Sequence, residues 1–186
     1  FVYQNKIWVT DMNNNRIDVY DKASHKLLFN FPNTDKTDES YLFMPTNLWL
    51  ANDMVYVSDI GGFNVKIYSL EGKYLKTIGS HGDKLGQFSR PKGIAASNDS
   101  IIYVVDAGFE NVQMFDNEGN LLMFFGGPYK GPGDMWLPAK VSISYKNLEY
   151  FRKYLDPEFD LQYLIFVTNQ FGPDKINVYG AVELKK

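Results

Sequence analysis

The chain has 186 residues, 45% of them hydrophobic and 16% aromatic, which is enough for one globular unit with a sizeable core. A net charge of -3 with scattered Lys and Arg speaks against nucleic acid, whose phosphates need a concentrated basic surface. The absence of cysteine excludes disulfides, Cys-ligated zinc, a cysteine nucleophile and covalent haem attachment within the chain; no apolar run approaches the roughly 18 residues of a membrane-spanning helix.

In chain order the same unit is written four times. Lys6 to Phe31 reads KIWVTDMNNNRIDVYDKASHKLLFNF, and Met54 to Gly79 reads MVYVSDIGGFNVKIYSLEGKYLKTIG. Ile101 to Gly126 reads IIYVVDAGFENVQMFDNEGNLLMFFG, and Leu164 to Gly180 reads LIFVTNQFGPDKINVYG. Asp11, Asp59 and Asp106 recur at about 47-residue spacing, as do Pro45, Pro91 and Pro138. A repeat of that length made of short strands predicts an all-β protein, a β-propeller of four-stranded antiparallel blades. The blades fall at about 1–31, 45–79, 91–126 and 138–186 in a single domain.

Within each unit the first strand follows a proline (PTNLWLA, PKGIAAS, PAKVSIS), whose missing N–H breaks no ladder bond at a strand entry. The second is a nearly continuous apolar run, expected of a strand covered on both faces. The third alternates: Ile17 and Val19, Val65 and Ile67, Val112 and Met114, and Ile176 and Val178 face one way, with Asp18, Lys66, Gln113 and Asn177 between them. The fourth is amphipathic. Glu71-Gly72 and Glu118-Gly119 supply the tight turn between third and fourth strands. Asp11, Asp59, Asp106 and Asn169 close the second strand, where a short polar side chain initiates a turn by bonding the backbone two residues on.

The last unit breaks the rhythm with an insertion at about 146–162 (KNLEYFRKYLDPEFDLQ). Asn147 as N-cap, apolar residues Leu148, Phe151 and Leu155 at helical spacing, and Asp156-Pro157 as a stop predict an amphipathic helix of about two turns. Two readings stay open: a cover for the edge of its blade, and a partner-docking element carried by Tyr150, Phe151, Tyr154 and Phe159. At the ends, the first unit lacks its proline-led strand and the last has AVELKK where a fourth strand belongs. The start at Phe1, with neither Met nor signal sequence, reads as a mature or fragmentary product. About 47 residues a blade makes roughly 280 for six blades, so the expectation is a larger ring with residues ahead of Phe1.

The succession G-x-F-x-x-P-x-G-I-A, I-Y-V-x-D, N-x-V-Q-x-F-D, E-G-x-L-L-x-x-F-G, clearest from Gly86 to Gly126, resembles the NHL repeat. The resemblance implies a six-bladed propeller. The stretch MWLPAKVSISY, the insertion and LIFVTNQFGPDKINVYG are similar to a group of bacterial extracytoplasmic NHL proteins, which implies an extracytoplasmic location and multihaem c-type cytochromes as partners. Relatives of this kind divide among protein-binding, RNA-binding and enzymatic propellers. The enzymatic alternative is a metal-dependent hydrolase or lyase with its site in the central channel, holding zinc on several histidines or calcium on Glu, Asp and Asn.

Against these options the residues are weighed as follows. His25 and His81 belong to loops on opposite faces, so they cannot share a zinc. Asp11, Asp59, Asp106 and Asn169 offer oxygen ligands for calcium, yet their identical place in each unit favours a turn cap. No Walker or dinucleotide pattern is present. Arg16, Arg90 and Lys92 lie at loops or strand starts that can face one rim. The reading is a non-enzymatic protein-interaction or scaffold propeller without a cofactor, its partner contacts at Tyr150, Phe151, Tyr154, Phe159, Arg16 and Arg90.

Overall fold

The computed structural model describes residues 1–185. Its strands form four antiparallel sheets, one for each unit. The first holds β1 (Val2–Tyr3), β2 (Lys6–Asp11), β3 (Arg16–Asp21) and β4 (Leu27–Phe31). The second holds β5 (Pro45–Ala51), β6 (Met54–Asp59), β7 (Asn64–Ser69) and β8 (Tyr74–Ile78). The third holds β9 (Pro91–Ala96), β10 (Ile102–Asp106), β11 (Asn111–Phe115) and β12 (Leu121–Gly126). The fourth holds β13 (Pro138–Ser144), β14 (Phe159–Asn169) and β15 (Ile176–Leu184). Among the described residues the four blades form an arc that does not close into a ring.

Three apolar layers hold the arc together, one between each pair of blades. Trp8, Ile17 and Val19 meet Val55, Val57 and Tyr68 in the first. Val65 and Ile67 meet Ile94, Ile102 and Phe115 in the second, and Tyr103 and Val112 meet Val141, Ile165 and Val167 in the third. Every one of these side chains is nearly or wholly buried. Each contributes about 1.5–3 kcal/mol by leaving water. The alternation read from the third strands thus decides which neighbouring blade each residue packs on. The doubly covered second strand is seen in β6 and β10; β2 leaves Val9 exposed, because among the described residues no blade covers that side of the first sheet.

Three expectations are corrected. The first unit does carry an inner strand, though only Val2–Tyr3, pairing with Ile7 and Lys6. Among the described residues no fourth strand follows in the last unit: AVEL continues β15, and Val182 to Leu184 pair with Leu161 to Phe159. Lys186, the last residue of that stretch, lies outside the described residues.

The insertion is not a two-turn α-helix but two single 3-10 turns, Leu148–Tyr150 and Arg152–Tyr154, hinged at Phe151. Asn147 sits in the left-handed region (φ 57) and makes no side-chain cap. Too few residues separate Asn147 from Leu155 to repay the nucleation of an α-helix, so packing on the sheet sets their conformation. The stop at Asp156-Pro157 holds, since the Phe159 N–H closes a turn on the Asp156 carbonyl and β14 begins there.

Candidate functional site

The recurrent proline and the recurrent acid of each unit are cross-strand partners. Pro45 faces Asp59, Pro91 faces Asp106, and Pro138 faces Asn169, each beside an irregularity in the ladder. That register aims each polar side chain at the chain just ahead of the proline. Asp59 accepts the N–H groups of Phe43 (2.8 Å) and Met44 (2.7 Å). Asp106 accepts those of Ser89 (2.7 Å) and Arg90 (3.1 Å), and in its own loop that of Gly108 (2.7 Å). Asn169 accepts from Trp136 (3.2 Å) and donates to the Asp174 carbonyl (2.7 Å), while Glu110 takes the Leu137 N–H at 2.7 Å. Asp59, Asp106 and Asn169 thus latch the incoming inter-blade segment, and Asp106 and Asn169 in addition tie their own loops, whereas Asp59 makes no bond to its own turn among the described residues.

In the first unit the corresponding segment would precede Phe1. Asp11 accepts instead from the Asn14 amide and faces Arg16 at 3.5 Å. The Asn14 side chain is the main reason its carboxyl is held below the usual range.

A second tie comes from the polar position of the third strand. Asp18, Lys66, Gln113 and Asn177 are all buried. The Lys66 ammonium donates to the Glu39 carbonyl (2.6 Å), Gln113 both accepts from Gly86 and donates to Gln87, and Asn177 donates to the Asp134 carbonyl (2.6 Å). Burial pushes the Lys66 amine below its ordinary value. Two side chains from each of the second, third and fourth blades thus pin the loop that enters it.

Spent on backbone N–H groups within separate blades, Asp59 and Asp106 do not offer free carboxylate oxygens to a shared calcium. Among the described residues no three His, Asp or Glu side chains gather as a metal group. His25 lies in the β3–β4 turn, and His81 packs its ring on Phe63 at 4.3 Å in an inter-blade loop.

The structure divides the proposed contact residues between two faces. Arg16 is paired with Asp18 at 2.9 Å and is held on the first blade. Arg90 is exposed on the latch face. The insertion leaves from Ser144, the end of β13 away from Pro138, and so lies on the opposite face. There Phe151, Tyr154 and Leu155 border a cleft of about 320 Å³ whose other wall is Leu161, Leu164 and Val178. Phe151 meets Phe166 edge-on at 6.4 Å, while Tyr150 and Tyr154 are 68% and 77% exposed. Phe159 is not in this cluster; it pairs with Leu184 in the sheet.

Sequence reading missed that latched positions of the second and fourth blades are exposed and apolar: Phe43, Met44 and Trp136 stand 46%, 43% and 47% open. Their place within two residues of Pro45 or Pro138 was the available signal.

No protein-family model matches the chain, and no curated protein matches it in sequence. Among solved structures it is similar to a streptogramin B lyase, at 15% identity and a TM-score of 0.58, covering 95% of this chain and 51% of that one. It is also similar to a catalytically inactive virginiamycin B lyase from Staphylococcus aureus with quinupristin (14%, TM-score 0.59, 95% and 52%). Hydrazine synthase of Kuenenia stuttgartiensis is a third (13%, TM-score 0.60, 97% and 46%). The chain spans about half the length of each. Such likeness shows the fold alone, and these are β-propeller proteins. The chain is accordingly a β-propeller arc of four blades.

Proposed function

We propose that this chain is a non-enzymatic NHL-type propeller that holds a partner protein on the insertion of its last blade. One observation carries the reading: two tyrosines, Tyr150 and Tyr154, stand largely in water beside an open apolar cleft. Tyrosine gives large contact area with few rotatable bonds and is enriched where protein interfaces bind tightly. The insertion packs on the sheet through Phe151, so the exposed pair is presented from a fixed base. The sequence resemblance supports an extracytoplasmic setting and a multihaem c-type cytochrome as the partner.

The test places a photo-crosslinking residue at Tyr154 and captures partners from an extracytoplasmic fraction, followed by haem staining. The expected result is a haem-bearing adduct that is lost when Tyr150→Ser is added. Adducts that do not change with that substitution, or none at all, would reject the reading.

A further inference from the structure

The latch face carries a second feature that the insertion does not explain. At the second, third and fourth blades the buried polar residue grips the backbone of the residues before the proline, which leaves their side chains free. Asp59 holds Phe43 and Met44, Asp106 holds Arg90, and Asn169 holds Trp136. Trp136 is further fixed by stacking on Tyr129, with ring centroids 6.0 Å apart, and Phe171 beside it is 57% exposed. Large apolar groups are thereby presented to water from anchored backbone, with little further ordering cost on contact.

Cations stand among them. Arg90 immediately precedes β9, Lys92 and Lys140 lie in the first residues of β9 and β13 of two adjacent blades, and none has a carboxylate partner among the described residues. Lys140 borders a cleft of about 280 Å³ together with Thr10, Thr46 and Asn47 of the first two blades. The Lys92 amine is held below its ordinary value, chiefly by burial and then by the neighbouring Arg90 charge, the behaviour of a cation without a counter-ion. The carboxylates nearest these cations are engaged: Asp59, Asp106 and Glu110 accept backbone N–H groups and Asp11 is taken by Asn14 and Arg16, while Asp83 and Asp134 lie in inter-blade loops and Asp174 in the β14–β15 loop near Tyr129.

We propose that the latch face is a docking surface for an acidic loop of a protein partner. The carboxylates of that loop meet Arg90, Lys92 and Lys140, and its apolar residues seat on Phe43, Met44 and Trp136. This rests on the reading of the chain as a protein-binding propeller but uses the face opposite the insertion, so the two surfaces can fail separately. The mixed apolar and cationic character favours a protein over nucleic acid, which would require cations along a longer track.

A fluorescein-labelled peptide of alternating Glu and Phe serves as probe, with its Gln and Lys analogues as controls. Fluorescence anisotropy is expected to show the Glu peptide binding roughly tenfold tighter than the Gln form, with salt weakening it. Arg90→Glu with Lys140→Glu should weaken binding by roughly tenfold or more, and Trp136→Ala by several-fold. Tyr150→Ser with Tyr154→Ser should leave it unchanged, so loss of crosslinking by those two alone bears only on the insertion. Both Arg90 and Trp136 keep their latches, which use backbone N–H groups, and unchanged thermal melts confirm folding. No binding, equal binding of the three peptides, indifference to the charge reversals, or displacement by an RNA oligonucleotide at equal concentration would each overturn the proposal.

Discussion

Pro45 and Asp59 face each other across β5 and β6, and the acid reaches past the proline to hold the two N–H groups before it. The proline has no N–H of its own to offer, so the carboxylate serves the nearest donors that would otherwise lack a ladder partner. Removing it should be costly. Asp59→Ala is expected to destabilise the chain by about 2 kcal/mol or more, since charged acceptors to two donors are lost together. Asp59→Asn, which copies Asn169, should cost about half as much. Urea denaturation measures both, and an alanine variant within error of the parent would refute the latch.

The tyrosine pair Tyr103 and Tyr163 joins the third and fourth blades through one buried hydroxyl contact of 2.7 Å. Either single Phe variant leaves the other hydroxyl unpaired and should cost about 1–2 kcal/mol. The double Phe variant should cost less than the two singles summed, because the orphaned group is gone. Additive losses in a denaturation cycle would show that the contact carries no coupling.

Lys66 predicts a pH dependence. Its folded pKa lies below the ordinary 10.5, chiefly through burial, although Asp59, Glu39 and Asp38 pull the other way. In the window between the folded value and 10.5 the unfolded chain binds the proton more tightly, so rising pH favours the folded state. The penalty for burying the charge is complete below that window. Measured against Lys66→Met, the parent should therefore gain relative stability as pH rises toward 10.5. A flat difference between neutral and alkaline pH would contradict this.

On the insertion, the exposed and half-buried aromatics should separate cleanly. Tyr150→Ser and Tyr154→Ser are expected to change stability by less than about 0.5 kcal/mol, as surface substitutions do. Phe151→Ala, which removes the contact with Phe166, should cost about 1–3 kcal/mol. Thermal melts of the three variants decide it; a large loss at Tyr154 would make that residue part of the packing rather than of an interface.

The blade pattern was legible because it is local: period-two alternation, prolines at strand entries and glycines in tight turns each follow from the chain itself. Gly72 and Gly119 adopt φ of 84 and 94, as their turns require. What escaped was the pairing of distant residues. The separation of the polar residue from the proline is nearly the same in the two middle blades and grows by about the length of the insertion in the last, yet reading that as cross-strand contact needs the register. Likewise Lys66, Gln113 and Asn177 read as the polar side of a strand, but the loop entering each blade takes up their side chains, while Asp18 is buried against Arg16 and Tyr20 of its own strand. The insertion misled because helical spacing over so few residues yields to the sheet beneath. The exposed Phe43, Met44 and Trp136 gave no periodic signal, being loop residues whose exposure depends on a backbone anchor.

Each inter-blade loop is tied to the blade it enters, by Asp59 and Lys66, by Asp106 and Gln113, or by Asn169 and Asn177. The natural unit of this chain therefore begins in the loop and ends with the fourth strand. A duplication copying that stretch would carry its own fastenings, whereas one cut at the proline would leave them behind. The seams of the molecule accordingly lie just after Phe31, Ile78 and Gly126, where outer strands end and the next fastened loop begins.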